Sequence, residues 1–190
     1  MREEEGGVRM KGLTEEQERL FETVFHSILK EDFPHHRWDV SRFLYAGKQV
    51  ISGRDDREFK RQARLFFSEN RIRWVRYEAH LAYWGGPEPD PYGDDEEENP
   101  EPDYWEMADL LTHRIVMAYM NAGKRQKYEQ EADTFPFWCL RVINDGRAYP
   151  DCIEESQTAR HYTDPYWQSK KLPCARLFCR CFITRRERQE

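Results

Sequence analysis

The feature that most constrains the fold of this chain is an acidic, proline-rich tract over residues 86–103. Its sequence is GPEPDPYGDDEEENPEPD, with nine acidic residues and no basic residue. Like charges repel one another and proline removes a backbone donor, so regular secondary structure is not expected to continue through it. The tract therefore predicts a loop or linker between a helical region over residues 1–85 and a C-terminal module over residues 104–190.

The first part of the helical region has the signals of two helices. Thr14 and Gln17 have the spacing of a capping box, and a stripe of apolar residues follows them, which predicts an amphipathic helix over residues 14–30. The sequence WDVSRFLYAGKQVI then predicts a short helix that ends near Gly47 or Gly53.

A longer helix is predicted from Asp55 to Tyr83, because apolar residues recur there at spacings of three and four. The rest of its surface is basic. Such a face could follow phosphates or an acidic partner, but a solvated helix face has the same pattern, and the solvated face is favoured. Its basic residues are Arg57, Lys60, Arg61, Arg64, Arg71, Arg73 and Arg76.

The region after the acidic tract changes from helix to strand. Residues 104–122 predict a helix that Gly123 ends. The sequence FPFWCLRVIN, rich in aromatic and branched residues, predicts a strand, and residues 177–184 predict a second strand. We therefore expect an α+β architecture, with an N-terminal helical bundle followed by a small antiparallel-sheet C-terminal module.

Composition and motifs exclude several classes of protein. The net charge is −6 and the mean hydropathy is −1.00, while 14% of the residues are aromatic, which favours a folded core. We expect no membrane partner, no transmembrane segment and no signal peptide, because no apolar stretch is long enough. A Gly-rich phosphate loop, H-E-x-x-H and G-x-S-x-G are all absent, so nucleotide hydrolysis, zinc proteolysis and esterase chemistry have no support.

The five cysteines are an odd number, which favours core packing or metal ligation over a set of disulfides in a reducing compartment. Cys139 follows Trp138 in an apolar strand and is expected in the core. The other four could bind zinc, with His161 as a substitute ligand, although paired C-x2-C knuckles are absent and burial would explain the same residues. The candidate zinc ligands are Cys152, Cys174, Cys179 and Cys181.

Four short sequences follow one another in the last half of the chain: THRIVMAYMNAGKR, WCLRVINDGRAYPDC, DPYW and PCARLFCRCFI. This ordered series, within residues 108–183, resembles the phage Mu F-like minor head protein domain, also described as a phage head morphogenesis domain. The positions that carry the resemblance are Asp145, Arg147, Pro150, Cys152, Asp164, Trp167, Cys179, Arg180 and Cys181.

The resemblance implies a noncatalytic minor capsid or head morphogenesis protein. It implies a few copies near the portal, in the virion or the host cytoplasm, with portal or capsid subunits as partners and DNA as a further partner. The basic tail TRRERQE could contact DNA phosphates, dock on an acidic capsid surface, or dock on the chain's own acidic tract.

Two alternatives stay open from the residues themselves. Asp145, Arg147 and His161 could converge in a cleft and make the chain a prophage-encoded nuclease or toxin domain. The cysteines could instead stabilise a small metal-bound interaction module.

Overall fold

The computed structural model describes residues 12–35, 38–84, 103–143, 148–170, 172 and 181–188. Within these residues the chain is an α+β protein, as predicted: helices predominate and a small antiparallel sheet lies toward the C-terminus. The helices are α1 (Glu15–Asp32), α2 (Ser41–Ile51), α3 (Arg57–Asn70), α4 (Val75–Trp84), α5 (Tyr104–Gln130), α6 (Pro150–Glu155) and α7 (Pro165–Ser169). The strands are β1 (Phe137–Val142), β2 (Ala159–His161) and β3 (Cys181–Arg186).

Helix α1 begins at the predicted capping box. The Thr14 hydroxyl accepts a hydrogen bond from the Gln17 backbone N–H at 3.2 Å, and the Gln17 side chain accepts one from the Thr14 N–H at 2.9 Å. These bonds satisfy donors that the first turn of a helix leaves open. The predicted helix over residues 14–30 is thus confirmed, and α2 confirms the short helix that follows it.

The single helix predicted over residues 55–83 is wrong, because the chain breaks at Arg71 into α3 and α4. Arg71 has a φ of 47°, the left-handed conformation, and its N–H closes the last turn of α3. A residue with a side chain pays roughly 1–2 kcal/mol for this conformation. Burial offsets the cost, since the turn delivers Ile72 and Trp74 into the core, where each is 2% exposed.

Aromatic rings fill the core between α1, α2, α3 and the first half of α5. The Phe43 ring lies 5.0 Å from the rings of both Phe25 and Phe59. Gly47 makes this packing possible, since a Cβ there would lie 2.5 Å from the Phe21 ring and 2.8 Å from the Phe59 ring. The largest fully buried side chains of this cluster are Phe21, Phe25, Phe43, Phe59, Phe66, Phe67, Trp74, Met107, Leu110 and Leu111.

Helix α5 is longer than predicted, and Gly123 does not end it. A glycine inside a helix costs about 1 kcal/mol relative to alanine, which packing on both sides can offset. The first half buries Leu110 and Leu111 in the aromatic core, and the second half packs against β3. The helix therefore supplies residues to both parts of the molecule. The predicted domain boundary at residue 104 stays a prediction.

The three strands form an antiparallel sheet in the order β2-β1-β3. The strand predicted from FPFWCLRVIN is confirmed as β1. The strand predicted over residues 177–184 is observed as β3, which ends two residues later than predicted; residues 177–180 lie outside the described part. The face that carries Trp138, Leu140, Cys181 and Ile183 is buried, with α6 and α7 contributing residues to its two apolar clusters.

No helix in the described part of the chain is both long and apolar enough to cross a membrane.

Candidate functional site

The motif residues that the structure describes lie in and around α6, α7 and the buried face of the sheet. Pro150 is the first residue of α6, a position where its missing N–H costs no hydrogen bond. Asp164 caps α7, because its carboxylate accepts a hydrogen bond from the Tyr166 N–H at 2.8 Å. Trp167 is 2% exposed and its ring lies 5.7 Å from the Trp138 ring. These three residues therefore have structural roles: two begin helices and one packs in the core.

Two of the four predicted zinc ligands come together. Cys152 on α6 and Cys181 on β3 belong to one buried cluster with Leu140 and Tyr149. Cys174 and Cys179 lie outside the described residues, and within those residues no group of three His, Cys, Asp or Glu side chains is placed to hold a metal. A zinc site would therefore have to complete its ligand set from the two cysteines that are not described, and zinc stays a prediction.

His161 does not lie beside these cysteines. It pairs with Phe137 at one end of β1, whereas Cys181 pairs with Val142 at the other end. Five residues of antiparallel strand separate the two positions, about 17 Å at 3.4 Å per residue. The His161 side chain is exposed and its Nδ1 lies 2.8 Å from the Thr163 hydroxyl.

Of the three residues predicted for the alternative enzyme site, the structure describes only His161. Asp145 and Arg147 lie outside the described residues, as does Arg180 of the resemblance. The prediction that Cys139 is a core residue is confirmed, since it is 2% exposed.

The residue that sequence analysis missed is Asn121, which joins α5 to the sheet. It is 3% exposed; its Oδ1 accepts a hydrogen bond from the Ile183 N–H at 3.2 Å, and its Nδ2 donates to the Cys181 carbonyl at 3.0 Å. Strand β3 is an edge strand, and this one amide satisfies backbone groups that β1 does not reach. The signal available in the sequence was the polar amide of Asn121 at an apolar position of the helical pattern.

A second group of polar contacts holds α7 against α6. The Tyr166 hydroxyl donates to the Glu155 carboxylate at 2.9 Å, and Lys170 forms an ion pair with the same carboxylate. Burial, followed by the hydrogen bond to Glu155, raises the pKa of Tyr166 to about 12. The Arg160 guanidinium lies 4.5 Å from the centre of the Tyr166 ring.

Arg185 points toward the turn that follows α5. Its guanidinium lies 5.0 Å from the Tyr128 ring centre and 4.3 Å from the Phe135 ring centre, and it forms an ion pair with Glu131. One cation of the predicted basic tail is therefore engaged within the molecule.

A cleft of about 360 Å³ opens where α1, α5, α7 and β3 meet. Its cations already have partners. Arg114 pairs with Asp32 at 3.1 Å, Lys170 pairs with Glu155, and Arg125 donates to the Trp167 carbonyl. The cleft has no marked excess of positive charge, which removes the main reason to assign it an anionic ligand.

Asp32 forms a buried ion-pair centre beside this cleft. Its fully buried carboxylate lies 2.6 Å from Arg76 Nε and 3.1 Å from Arg114 Nε. Glu31 adds a contact of 2.6 Å to Arg76. The centre links α1, α4 and α5, so its evident role is structural.

The basic face predicted on the long helix is largely neutralised by neighbouring carboxylates. Arg57 pairs with Asp55 at 2.8 Å, and Arg61 pairs with Glu58 at 2.7 Å. Lys60 lies 2.5 Å from Asp109. These pairings favour the solvated-face interpretation over a phosphate-binding face.

Comparison of the chain with protein-family models, with curated proteins and with solved structures gives no match.

Proposed function

We propose that this chain is a noncatalytic head-assembly protein of a phage or prophage, which acts near the portal. The proposal rests on the ordered series of motifs that resembles the Mu F-like minor head domain. Portal or capsid subunits are the proposed partners, with DNA as a further one, and the protein would be found in the virion or the host cytoplasm.

One observation supports a structural use of these motifs. The described residues that carry the resemblance serve the architecture: Asp164 caps a helix, Trp167 packs against Trp138, and Cys152 shares a cluster with Cys181. Residues used in this way shape a docking module, whereas hydrolysis needs polar groups that converge on a substrate.

Genetic complementation tests the proposal in the phage or prophage that encodes the chain. Deletion of the gene is expected to abolish infectious particles, and mass spectrometry of purified heads is expected to detect the wild-type protein. Asn121→Ala should fail to restore infectivity, because it detaches β3 from α5. Abundant infectious particles after deletion, with no protein in the heads, would refute the head-assembly role.

A matched variant separates assembly from catalysis. His161 is exposed, so His161→Ala should leave the fold intact. The proposal expects it to restore infectivity as the wild type does. Loss of infectivity with normal expression and unfolding temperature, together with loss of a nuclease activity that the wild-type chain shows, would instead support the nuclease or toxin alternative.

A metal-stabilised interaction module is the second candidate function. Cys152 and Cys181, which are 29 positions apart in the sequence, lie in one buried cluster, and two thiolates are half of a tetrahedral zinc site. About one zinc per chain after purification, and a lower unfolding temperature with a chelator, would support it. Absence of zinc and no shift would return the cysteines to core packing.

The cysteine variants sharpen that measurement. Cys174→Ser and Cys179→Ser should each release zinc if the predicted quartet binds it, whereas Cys139→Ser should not, because Cys139 lies on the other face of the sheet. Retention of zinc in the first two variants would contradict the quartet.

A further inference from the structure

The two faces of the small sheet have different chemistry. One face is largely buried and apolar, although the half-buried Arg160 and Arg185 also lie on it. The other is formed by alternate residues that are half-buried or exposed, over a floor of Cys139 and Ala159. We name this second surface the basic-aromatic face, and its residues are Phe137, Arg141, His161, Phe182, Thr184 and Arg186.

The register places these side chains on one side of the sheet. Phe137 pairs with His161 of β2 and with Arg186 of β3, and Arg141 pairs with Phe182. Directly opposed residues of antiparallel strands share a face. The Phe137 and His161 rings confirm this, since they meet edge to face at 5.6 Å.

Basic side chains lie on and beside this face of the sheet. Arg141 and Arg186 lie on it, and Lys124 reaches across from α5, with its Nζ 4.3 Å from the centre of the Phe182 ring. Lys127 follows one turn later on α5 and is exposed. Among the described strand positions on this side, none is acidic.

Rings interleaved with cations suit one class of ligand. Aromatic side chains stack on exposed bases, and arginine or lysine side chains neutralise the phosphates between them. In a duplex the bases are stacked on one another, so their faces are not available to Phe137 or Phe182. We propose that the basic-aromatic face binds single-stranded nucleic acid, by base stacking on these two rings and phosphate contacts from Arg141 and Lys124.

The spacing of the rings fits this use. Phe182 pairs with Arg141, and Phe137 lies four residues before Arg141 on β1. The two rings are therefore separated by about 14 Å along the strands. The two rings therefore engage different bases, and Arg141 and Lys124 lie at the Phe182 end of the surface. The inference does not depend on the head-assembly proposal, because it follows from the composition of the face alone.

Fluorescence anisotropy with the full chain tests the inference. The probes are labelled oligothymidylate and oligouridylate of about 12 nucleotides, with a duplex of the same length as comparison. Single strands are expected to bind and the duplex to bind much more weakly. Equal binding of duplex and single strand, or no binding of either single strand at low salt, would overturn the inference.

Paired substitutions at Phe182 separate stacking from folding. Phe182→Tyr keeps a ring and should bind as the wild type does, whereas Phe182→Leu keeps apolar bulk without the ring and should weaken binding roughly fivefold to a hundredfold. Wild-type affinity of Phe182→Leu, at an unchanged unfolding temperature, would contradict stacking at this position.

Cation substitutions test the phosphate contacts. Arg141→Gln should lower the slope of log affinity against log salt by about 0.7, the value for one phosphate contact on a single strand. Arg57→Gln is the matched control, because that cation on α3 is paired with Asp55, and it should leave the slope unchanged. Equal effects of both substitutions would show attraction by overall charge and refute a defined face.

Discussion

The helical cluster and the C-terminal sheet are stabilised by different kinds of contact. The helical cluster buries rings and aliphatic side chains at the junction of several helices, and its packing depends on shape. The sheet has three short strands and two small apolar clusters, and directional contacts fasten it, above all the Asn121 amide. The helical cluster is therefore expected to be most sensitive to loss of buried volume, whereas the small module depends on single polar groups.

The largest expected effect is in the aromatic core. Phe59→Ala should lower the free energy of unfolding by about 4 kcal/mol, because it leaves a cavity beside Phe43 and Gly47. Denaturant unfolding followed by circular dichroism measures the change. Phe59→Leu should cost less than about 1.5 kcal/mol, since it conserves much of the volume. Similar losses for both variants would show that ring geometry matters more than cavity volume.

The next effect tests the polar centre at the rim of that core. Asp32→Ala removes the buried carboxylate that Arg76 and Arg114 share, and should cost about 3 kcal/mol by leaving buried positive charge uncompensated. Glu31→Ala, at a more exposed position, should cost below about 1 kcal/mol. If the two variants were equally stable in the same unfolding experiment, the proposed difference in burial would be wrong.

A smaller effect is expected where α5 meets the sheet. Asn121→Ala leaves the Ile183 N–H and the Cys181 carbonyl without this amide and should cost about 2 kcal/mol. Hydrogen exchange should show faster exchange at β3 while the amides of α1 stay protected. Met120→Ala, at the exposed neighbouring position, should change stability by no more than about 0.5 kcal/mol. Uniform loss of protection through both regions would show that they unfold together.

The smallest effect is a pH dependence from His80, which joins α4 to Tyr149. Burial lowers the pKa of His80, and its Nδ1 lies 3.3 Å from the Tyr149 hydroxyl. The unfolded chain therefore takes up the proton at a higher pH than the folded chain, so stability is retained above about pH 6.5 and declines below it. Glu106 acts in the opposite direction by favouring the charged imidazole.

Thermal unfolding between pH 5 and 7.5 checks this sign. His80→Gln should flatten the decline below about pH 6.5, because it removes the group whose pKa burial lowers. An unchanged profile in His80→Gln would assign the decline to other groups.

Local patterns predicted much of the fold, and contacts between distant residues explain what they missed. Thr14 and Gln17 lie three positions apart, so their cap was visible in the sequence, as was the apolar run of β1. The break at Arg71 was not, because a left-handed arginine has no local signal and is favoured only by the burial of Ile72 and Trp74. Strand β2 has three residues, too few to show a period of two.

The candidate site shows the same limit. The sequence named Cys152 and Cys181 among four candidate zinc ligands, and the structure brings these two into one cluster. The sequence also predicted His161 as a substitute ligand. The strand register places His161 at the end of β1 opposite to Cys181. Asn121 was missed because its partners are 60 and 62 positions away, and helical periodicity carries no information about them.

Helix α5 also imposes an order in time on the folding of the chain. The partners of its first half lie mostly in α1 and α3, which the ribosome has already made when α5 emerges, while the partners of Asn121 are still to be synthesised. The aromatic core can therefore condense first, and the end of α5 waits for β3. A buried amide on one continuous helix thus marks the boundary between an early and a late step of folding.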